Sequence, residues 1–416
     1  DFYLMYRAYE ADAAGRDLLT RAAFRRYRES GLSRIVARAL YGQQLENSVS
    51  RLETYAACAC RHFLQYGLSL QEREEFGFEA SDMGTVYHAV LENFAGKLAE
   101  SNLTWWDFTE DFAAKAVKES VEAYAATYGE TVLYSSARNE YAITRILTRT
   151  VLTLQKHLKQ GSFQPDDYEL SFRFAEDLDS IHVDLSEDEK MHLQGRIDRI
   201  DVSEDAEHVY VKVIDYKSGN RKFDLAALYY GLQLQLVVYM NAAMEMESRK
   251  HPDKEIVPAA LLYYHIDDPT IETPVELTDE QINEQILAKL RMNGVVNSDP
   301  GVVERLDRYM QDKSVVIPVE KKKDGSFSAR SGVLSREEMQ LISSYVDAKI
   351  RSIGREILDG KIAANPYEKG NEEACTYCAY KKVCGFDGSI PGYEKRQLED
   401  LDKQALMQRM QKTVEA

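Results

Sequence analysis

The spacing of hydrophobic and polar positions changes part-way along the chain, and the predicted secondary structure changes with it. Residues 1–160 are predicted to be mainly helical; from 83 to 98, for example, apolar side chains recur at three- and four-residue intervals. Residues 1–47 carry no strand signal, and Ser50 is a candidate cap for the helix that follows it. The first part of the chain is therefore expected to consist of helices.

Beyond residue 160 the pattern becomes that of strands, with alternating apolar positions and many β-branched side chains. The predicted strands cover residues 169–174, 181–185, 191–202, 208–216 and 257–265. Helices are predicted over 225–247, between the last two strands, and over 335–358. This order predicts an α/β fold with four regions: helices in 1–47 and 48–160, a core sheet within 161–270, and a further helical region at 271–416.

The composition of the chain limits its possible binding partners and its location in the cell. The chain has 416 residues and a net charge of −17, so its surface as a whole is unsuited to coating DNA, although a local groove can still be basic. It contains no run of about 18 apolar residues and no charged-then-apolar leader, which predicts a cytoplasmic protein with no membrane span. Because Asp1 already lies in a helical pattern, we expect the chain to be part of a longer polypeptide.

Two aspartates and a lysine fall on neighbouring predicted strands. Asp198 lies on one strand, and Asp215 and Lys217 lie two residues apart on the next, so the last two share a face. Antiparallel pairing would bring Asp198 beside Asp215. Carboxylates bind Mg²⁺, which can hold a phosphodiester and activate water, while a lysine orients that water or neutralises charge. Such pairs are usually solvated faces, but this one follows an apolar run at 209–214, which favours a site.

The cysteines form a second candidate site. Cys375, Cys378 and Cys384 are close together near the end of the chain, whereas Cys58 and Cys60 lie far upstream. An odd number of cysteines with this distribution does not suggest a disulfide framework, and thiolates at C-x₂-C spacing commonly bind metals. Four of the five could hold a zinc ion or an iron–sulfur cluster, and the spacing leaves both open.

The residues around the aspartates resemble the RecB-like form of the PD-(D/E)XK nuclease motif. Four elements carry the resemblance: G-x-x-x-H ending at His88, G-x-x-D ending at Asp198, D-Y-K at 215–217, and Q-x-x-x-Y from Gln235 to Tyr239. Taken alone, His88 would more often be a packed histidine than a ligand. The order and number of the elements favour the nuclease interpretation.

This resemblance implies both a fold and a set of roles. The fold is a restriction-endonuclease-like sheet flanked by helices. The implied Mg²⁺ ligands are His88, Asp198, Asp215 and the main-chain carbonyl of Tyr216, and Lys217 is implied to be catalytic. Gln235 and Tyr239 share a helix face and are expected to reach one DNA strand. Glu169 is a further candidate acid on the first core strand.

The segment around Cys58 resembles the AddB subunit, also called RexB, of bacterial AddAB-type helicase–nucleases. The shared positions run from Ser50 to Arg73, with Ala59 and Cys60 standing where that family has Pro and Phe. The resemblance implies that four cysteines bind a [4Fe–4S] cluster that joins the N- and C-terminal helical segments: Cys58, Cys375, Cys378 and Cys384. Cys60 would then be a small apolar residue in place of an aromatic one.

The AddB resemblance also implies a biological setting. The chain would act beside an AddA-type helicase–nuclease subunit and would cut the 5′-ended single strand produced from duplex ends during repair of double-strand breaks. Residues 1–47 would be the end of a helicase-like region. The chain has no G-x-x-x-x-G-K-[S/T] element, so it is not expected to hydrolyse ATP.

Three other interpretations fit parts of the sequence. A stand-alone iron–sulfur exonuclease of the Cas4 type would be a much shorter chain. A catalytically silent DNA-binding subunit would have no need of Asp198, Asp215 and Lys217 together. A zinc-stapled structural module would use the same cysteines without catalysis.

Overall fold

The computed structural model describes residues 1–71, 80–127, 137–171, 178, 181–219, 221–273 and 276–415. Residues 172–174 of the first predicted strand, and Glu72 and Arg73 of the AddB-like segment, lie outside these ranges. Among the described residues, no helix combines the length and the apolar character needed to cross a membrane.

Helices make up most of the regions before and after the sheet. In chain order they are α1 (Phe2–Ala8), α2 (Ala13–Ala23), α3 (Arg34–Tyr41), α4 (Val49–Ala57), α5 (Ala59–His62), a π-helical turn (Phe63–Gly67), α6 (Ala80–Glu100), α7 (Glu110–Thr127), α8 (Ala137–Gln160), α9 (Leu225–Tyr229), α10 (Gln235–Lys250), α11 (Asp279–Lys289), α12 (Pro300–Leu306), α13 (Arg336–Leu358), α14 (Lys381–Cys384) and α15 (Lys403–Glu415).

Within the described residues, the strands belong to one large sheet and two small ones. They are β1 (Gln44–Ser48), β2 (Gln164–Ser171), β3 (His182–Asp184), β4 (Lys190–Gln194), β5 (Arg196–Glu204), β6 (His208–Lys217), β7 (Glu255–His265), β8 (Asn293–Asn297), β9 (Val333–Leu334), β10 (Tyr367–Lys369), β11 (Glu372–Glu373) and β12 (Arg396–Gln397).

The large sheet has the order β2-β5-β6-β7-β8-β9 within the described residues. β5 runs antiparallel to both β2 and β6, whereas β6 and β7 are parallel and are joined by a crossover through α9 and α10. A parallel pair needs such a crossover because its connection must return the chain to the starting edge. The predicted α/β core is therefore present, but its predicted boundary at residue 270 is wrong, because β8 and β9 join the sheet from the region 271–416 that was predicted to be helical.

A hydrophobic core packs on each face of this sheet. Along β6, Val211 and Val213 face one core, and Ile214 and Tyr216 face the other. The first core is completed by α4, α10 and α13, and the second by α6, α7 and α8. Because both faces are covered, a charged side chain at the end of β6 points toward an apolar layer whichever face it is on, and it is shielded from water.

Several predicted elements need correction because long-range contacts override the local pattern. Residues 44–48 form a strand rather than a helix, since β1 pairs in parallel with the distant β4. The single strand predicted over 191–202 is two strands that belong to different sheets and meet at Gly195. Ser48, not Ser50, caps α4 by accepting a hydrogen bond from the amide of Arg51.

The helix predicted over 225–247 is also divided. It forms α9 and α10, with Gly231 between them at a φ of +83°, a backbone conformation that glycine adopts without the steric cost borne by other residues. The helix predicted over 335–358 is confirmed as α13, and Ser335 is its cap in a complete capping box with Glu338.

The two ends of the chain meet on one side of the molecule. The rings of Tyr27 and Tyr393 stack with centroids 4.1 Å apart. The amide of Cys60 donates to the carbonyl of Ala363 at 2.9 Å, and the phenol of Tyr380 donates to the carbonyl of Leu70 at 2.7 Å. These contacts bring the upstream cysteines close to those near the end of the chain.

Candidate active site

Two buried carboxylates face each other across β5 and β6. The register pairs Arg199 with Ile214, which puts Asp198 opposite Asp215 at the next position. Asp198 is 6% exposed and Asp215 1% exposed. Since burial of an unpaired carboxylate is costly, this arrangement requires cations or hydrogen-bond donors close by.

Both carboxylate oxygens of Asp198 have a partner. Its Oδ2 accepts the backbone amide of Tyr216 at 2.7 Å, and its Oδ1 lies 3.3 Å from Nδ1 of His88, which is supplied by α6. The same Nδ1 lies 3.1 Å from Oε1 of Glu169 on β2. The imidazole therefore bridges two carboxylates that come from different strands.

Glu169 takes its place in the site through an unusual backbone conformation. Its neighbours Tyr168 and Leu170 pair with Arg199 and Ile197, so Glu169 lies opposite Asp198. Its φ is +47°, in the left-handed region that non-glycine residues seldom adopt, and strain of this kind concentrates at functional sites. Its second oxygen accepts a hydrogen bond from Arg196 at 3.0 Å.

The neighbouring acids favour protonation of His88, and a metal ion bound at this imidazole would displace the proton. Burial alone would lower the pKa of His88, but hydrogen bonds and charge interactions with Asp198 and Glu169 outweigh burial and raise the pKa to about 10. One ligand atom from each of His88, Glu169 and Asp198 lies within 4.8 Å of the other two. The three side chains thus converge closely enough to bind a single ion.

Of the three buried carboxylates in this site, Asp215 has the fewest partners. Burial raises its pKa to about 7, and the charge of Asp198 adds to the shift, while Lys217 opposes it. Lys217 Nζ makes an ion pair with Oδ2, yet within the described part of the chain neither oxygen accepts a hydrogen bond of good geometry. A buried carboxylate left in this state can accept a further cation.

Lys217 is held by Gln235, and Gln235 in turn is held by Tyr239; both α10 residues were named in the sequence analysis. Its Nζ donates to Oε1 of Gln235 at 3.1 Å, and Nε2 of Gln235 donates to the phenol oxygen of Tyr239 at 2.8 Å. Gln235 thus contacts Lys217 at the end of β6, and Tyr239 contacts Gln235. Their predicted contact with a DNA strand stays a prediction.

All five cysteines line one small cavity away from the acidic residues. Cys58 and Cys60 come from the turn between α4 and α5 and from α5 itself; the other three come from the segment around α14. The predicted four therefore lie together, with Cys60 beside them. Phe386 and Leu64 contribute apolar walls.

Glu169 also lies among these acidic residues, although the sequence identified it only as a further candidate acid. Glu169 could be assigned firmly only by knowing that β2 pairs with β5 in this register, and local sequence does not carry that information. In contrast, the grouping of Asp198, Asp215 and Lys217 followed from two adjacent strands.

Comparison with known proteins agrees with this geometry. The sequence profile described as the PD-(D/E)XK nuclease superfamily matches residues 46–385. The chain belongs to this superfamily. Members of this superfamily are metal-dependent nucleases. The matched range contains the acidic site and all five cysteines.

Curated relatives of this PD-(D/E)XK chain are named as a subunit of an ATP-dependent helicase/deoxyribonuclease. The protein of Lachnoclostridium phytofermentans is 42% identical over 400 residues, which cover 93% of this chain and 33% of the relative. That of Clostridium kluyveri is 34% identical over 420 residues, which cover 100% and 36%. The chain therefore spans about a third of the length of the curated relatives it matches.

The raised pKa of Asp215 predicts a dependence of stability on pH. A carboxyl that ionises near pH 4 when unfolded, but near pH 7 when folded, makes the native state lose stability as pH rises through that interval. Asp215→Asn cannot ionise, so in EDTA its melting temperature should exceed that of the wild type by about 2 °C or more at pH 8, and by less at pH 5.

The control is Asp167→Asn, which changes a more exposed acid on β2 that pairs with Lys250. Differential scanning calorimetry between pH 5 and 8 makes the comparison. A difference between Asp215→Asn and wild type that stays constant across this range would mean that Asp215 has an ordinary pKa.

Proposed function

We propose that this chain is a Mg²⁺-dependent DNA exonuclease domain of a helicase–nuclease subunit, acting on the 5′-ended strand at double-strand breaks. The observation that carries the proposal is the group of buried acids, His88 and Lys217 at the end of β6. Hydrolysis of a phosphodiester needs a cation at the phosphate, an oriented water and a positive group near the developing charge.

The acidic residues fit a divalent metal ion. Asp215 has two buried oxygens that accept no hydrogen bond among the described residues, and the ligand atoms of His88, Glu169 and Asp198 converge. His88, Asp198, Asp215 and the main-chain carbonyl of Tyr216 would hold the ion. When bound, Mg²⁺ would polarise the scissile phosphate and lower the pKa of a water molecule.

Lys217 supplies the positive group on the protein side. Its ammonium pairs with Asp215 and donates to Gln235, so it is fixed next to the acids without being a metal ligand. From this position it can orient the attacking water and neutralise charge that develops on the phosphate. Gln235 limits the directions in which the ammonium can point.

The names of the curated relatives suggest the substrate and the partner of this chain. Their names describe a deoxyribonuclease and a subunit, and the matched region covers most of this chain. We extend this to single-stranded DNA produced from duplex ends and to an AddA-type partner subunit. The net charge of −17 means that any path for the strand must be a local groove.

Removal of Asp215 tests the catalytic proposal. Purified wild-type chain should digest end-labelled single-stranded DNA with Mg²⁺ and stop in EDTA. Asp215→Ala should abolish cleavage, because a metal ligand is lost, while DNA binding is retained. Lys217→Ala should slow cleavage by a factor of about 10² or more, with metal affinity little changed.

Asp167→Asn is the matched control and should cleave like the wild type, since it faces Lys250 rather than the site. Cleavage by Asp215→Ala at the wild-type rate would refute the metal-ligand assignment. A Lys217→Ala variant fully restored by extra Mg²⁺ would show that Lys217 supports metal binding instead.

We further propose that four cysteines hold a [4Fe–4S] cluster. All five thiols line one cavity, and burial, with a smaller contribution from neighbouring thiols, raises the pKa values of Cys58 and Cys375. Among the described residues no three sulfur atoms lie within 4.8 Å of one another. This spacing does not decide between a zinc ion and a cluster, and the AddB-like sequence around Cys58 is what favours the cluster.

Hydrogen bonding favours Cys58 over Cys60 as the first ligand. Burial raises the pKa of Cys58, but backbone amides of Arg61, Asn365 and Cys60 act in the opposite direction. Burial, with a smaller contribution from the neighbouring thiols, raises the pKa of Cys60 to about 12. Amide donors aimed at a sulfur stabilise its thiolate, which is the form that binds metal.

The proposed cluster would act as a structural staple. It would close a loop of 317 residues (375 − 58), and cross-links across long loops reduce the entropy of the unfolded chain. The acidic residues lie between these ligands in sequence and do not line the cysteine cavity. Loss of the cluster should therefore weaken the fold without removing a catalytic group.

Single cysteine variants test the cluster and its ligands. Anaerobically purified wild type should be brown, with absorbance near about 400 nm and matching iron and sulfide contents. Serine at position 58, 375, 378 or 384 should bleach the protein and lower its melting temperature. Cys60→Ala is the matched control and should retain colour and stability.

Each contrary result has a separate meaning. Loss of iron in Cys60→Ala but not in Cys58→Ser would reverse the ligand choice. Zinc without iron in the wild type would retain the staple and exclude the cluster.

A further inference from the structure

Glu53 connects the segment that leads to Cys58 with the helix that carries Gln235. It lies on α4, and its Oε1 accepts the backbone amides of Leu234 at 2.8 Å and Gln235 at 3.2 Å. These amides open α10. Glu53 belongs to the AddB-like segment of the sequence but to none of the metal or cysteine sites described above.

The start of α10 needs a partner from elsewhere in the chain. The N-cap residue is Leu234, which is fully buried and whose side chain cannot accept a hydrogen bond. The first amides of a helix have no acceptors within the helix, and the helix dipole favours negative charge there. The carboxylate of Glu53 meets both requirements and comes from a residue 181 positions earlier.

Arg221 fixes this carboxylate from its other side. Its Nη2 lies 3.1 Å from Oε2 of Glu53 and also donates to the carbonyl of Leu232 at 3.1 Å. The guanidinium lies over the ring of Tyr263, 5.9 Å from the centroid. The Glu53 side chain is 13% exposed, so water competes little for these contacts.

The first turn of α10 determines where Lys217 is held. Gln235 uses its backbone amide to bond Glu53 and its side-chain carbonyl to accept from Lys217. The phenol oxygen of Tyr239, one turn later, accepts a hydrogen bond from the side-chain nitrogen of Gln235. A shift of this turn would therefore move the acceptor that holds the Lys217 ammonium.

We propose that Glu53 is a positioning residue for Lys217 and acts through the N-terminus of α10 and Gln235. The proposal rests on the nuclease function proposed above, because it assigns Lys217 a part in cleavage. Small displacements of a catalytic group reduce rates strongly while ground-state binding changes little. A cap that served stability alone would leave the rate of the folded protein unchanged.

A double-mutant cycle separates these two roles. In the full chain, Glu53→Gln keeps the side-chain size but loses the charge that pairs with Arg221 and the helix terminus. Under single-turnover conditions with saturating Mg²⁺ and DNA, it should lower the cleavage rate about tenfold or more, with metal affinity unchanged. In a Gln235→Ala background the same substitution should change the rate less than about twofold.

A second measurement does not depend on cleavage. Competitive acetylation, read by mass spectrometry, reports how tightly the Lys217 amine is held. Glu53→Gln should increase labelling of Lys217 several-fold. The matched control is Glu338→Gln, which removes a carboxylate that caps α13 and pairs with Lys403. It should lower the melting temperature without changing either cleavage or Lys217 labelling.

The outcomes distinguish this inference from the proposed function. Equal rate losses from Glu53→Gln with and without Gln235 would overturn the inference, since Glu53 would then act by another route. Unchanged Lys217 labelling in Glu53→Gln would also overturn it. A wild-type chain that fails to cut DNA would contradict the proposed function, and the labelling result would still decide whether Glu53 positions Lys217.

Discussion

Two carboxylates buried side by side impose the main constraint on this structure. Asp198 and Asp215 meet because β5 and β6 pair in a register that puts them opposite each other, in a sheet whose two faces are both covered by apolar cores. On the protein side, His88 contacts Asp198, and the ammonium of Lys217 pairs with Asp215. These contacts offset the cost of burying the two carboxylates, while the Asp215 oxygens can still accept a cation.

The side chains that contact the two aspartates and Lys217 come from distant parts of the chain. His88 comes from α6 on one face of the sheet, whereas Gln235 orients Lys217 from α10 on the other face. Glu53 then links α10 to the segment that ends at Cys58. The cysteine cavity and the acidic site are thus separate in position but joined by one short helix.

Local sequence was sufficient for elements whose partners lie next to them. The run leading into Asp215, the capping box of α13 and the pairing of Asp198 with Asp215 all follow from short-range patterns. Local sequence was insufficient where a distant partner decides the structure. The strand β1 exists because β4 pairs with it, and the place of Glu169 depends on the register of β2 against β5.

The central claim is that the acids around His88 bind a divalent metal ion. Crystals grown with Mn²⁺ test this directly, because anomalous scattering locates the ion. The account predicts a peak bounded by His88, Asp198 and Asp215. A peak only at the other acidic group of the described chain, formed by Asp166, Asp167 and Glu247, or no peak at all at saturating Mn²⁺, would contradict it.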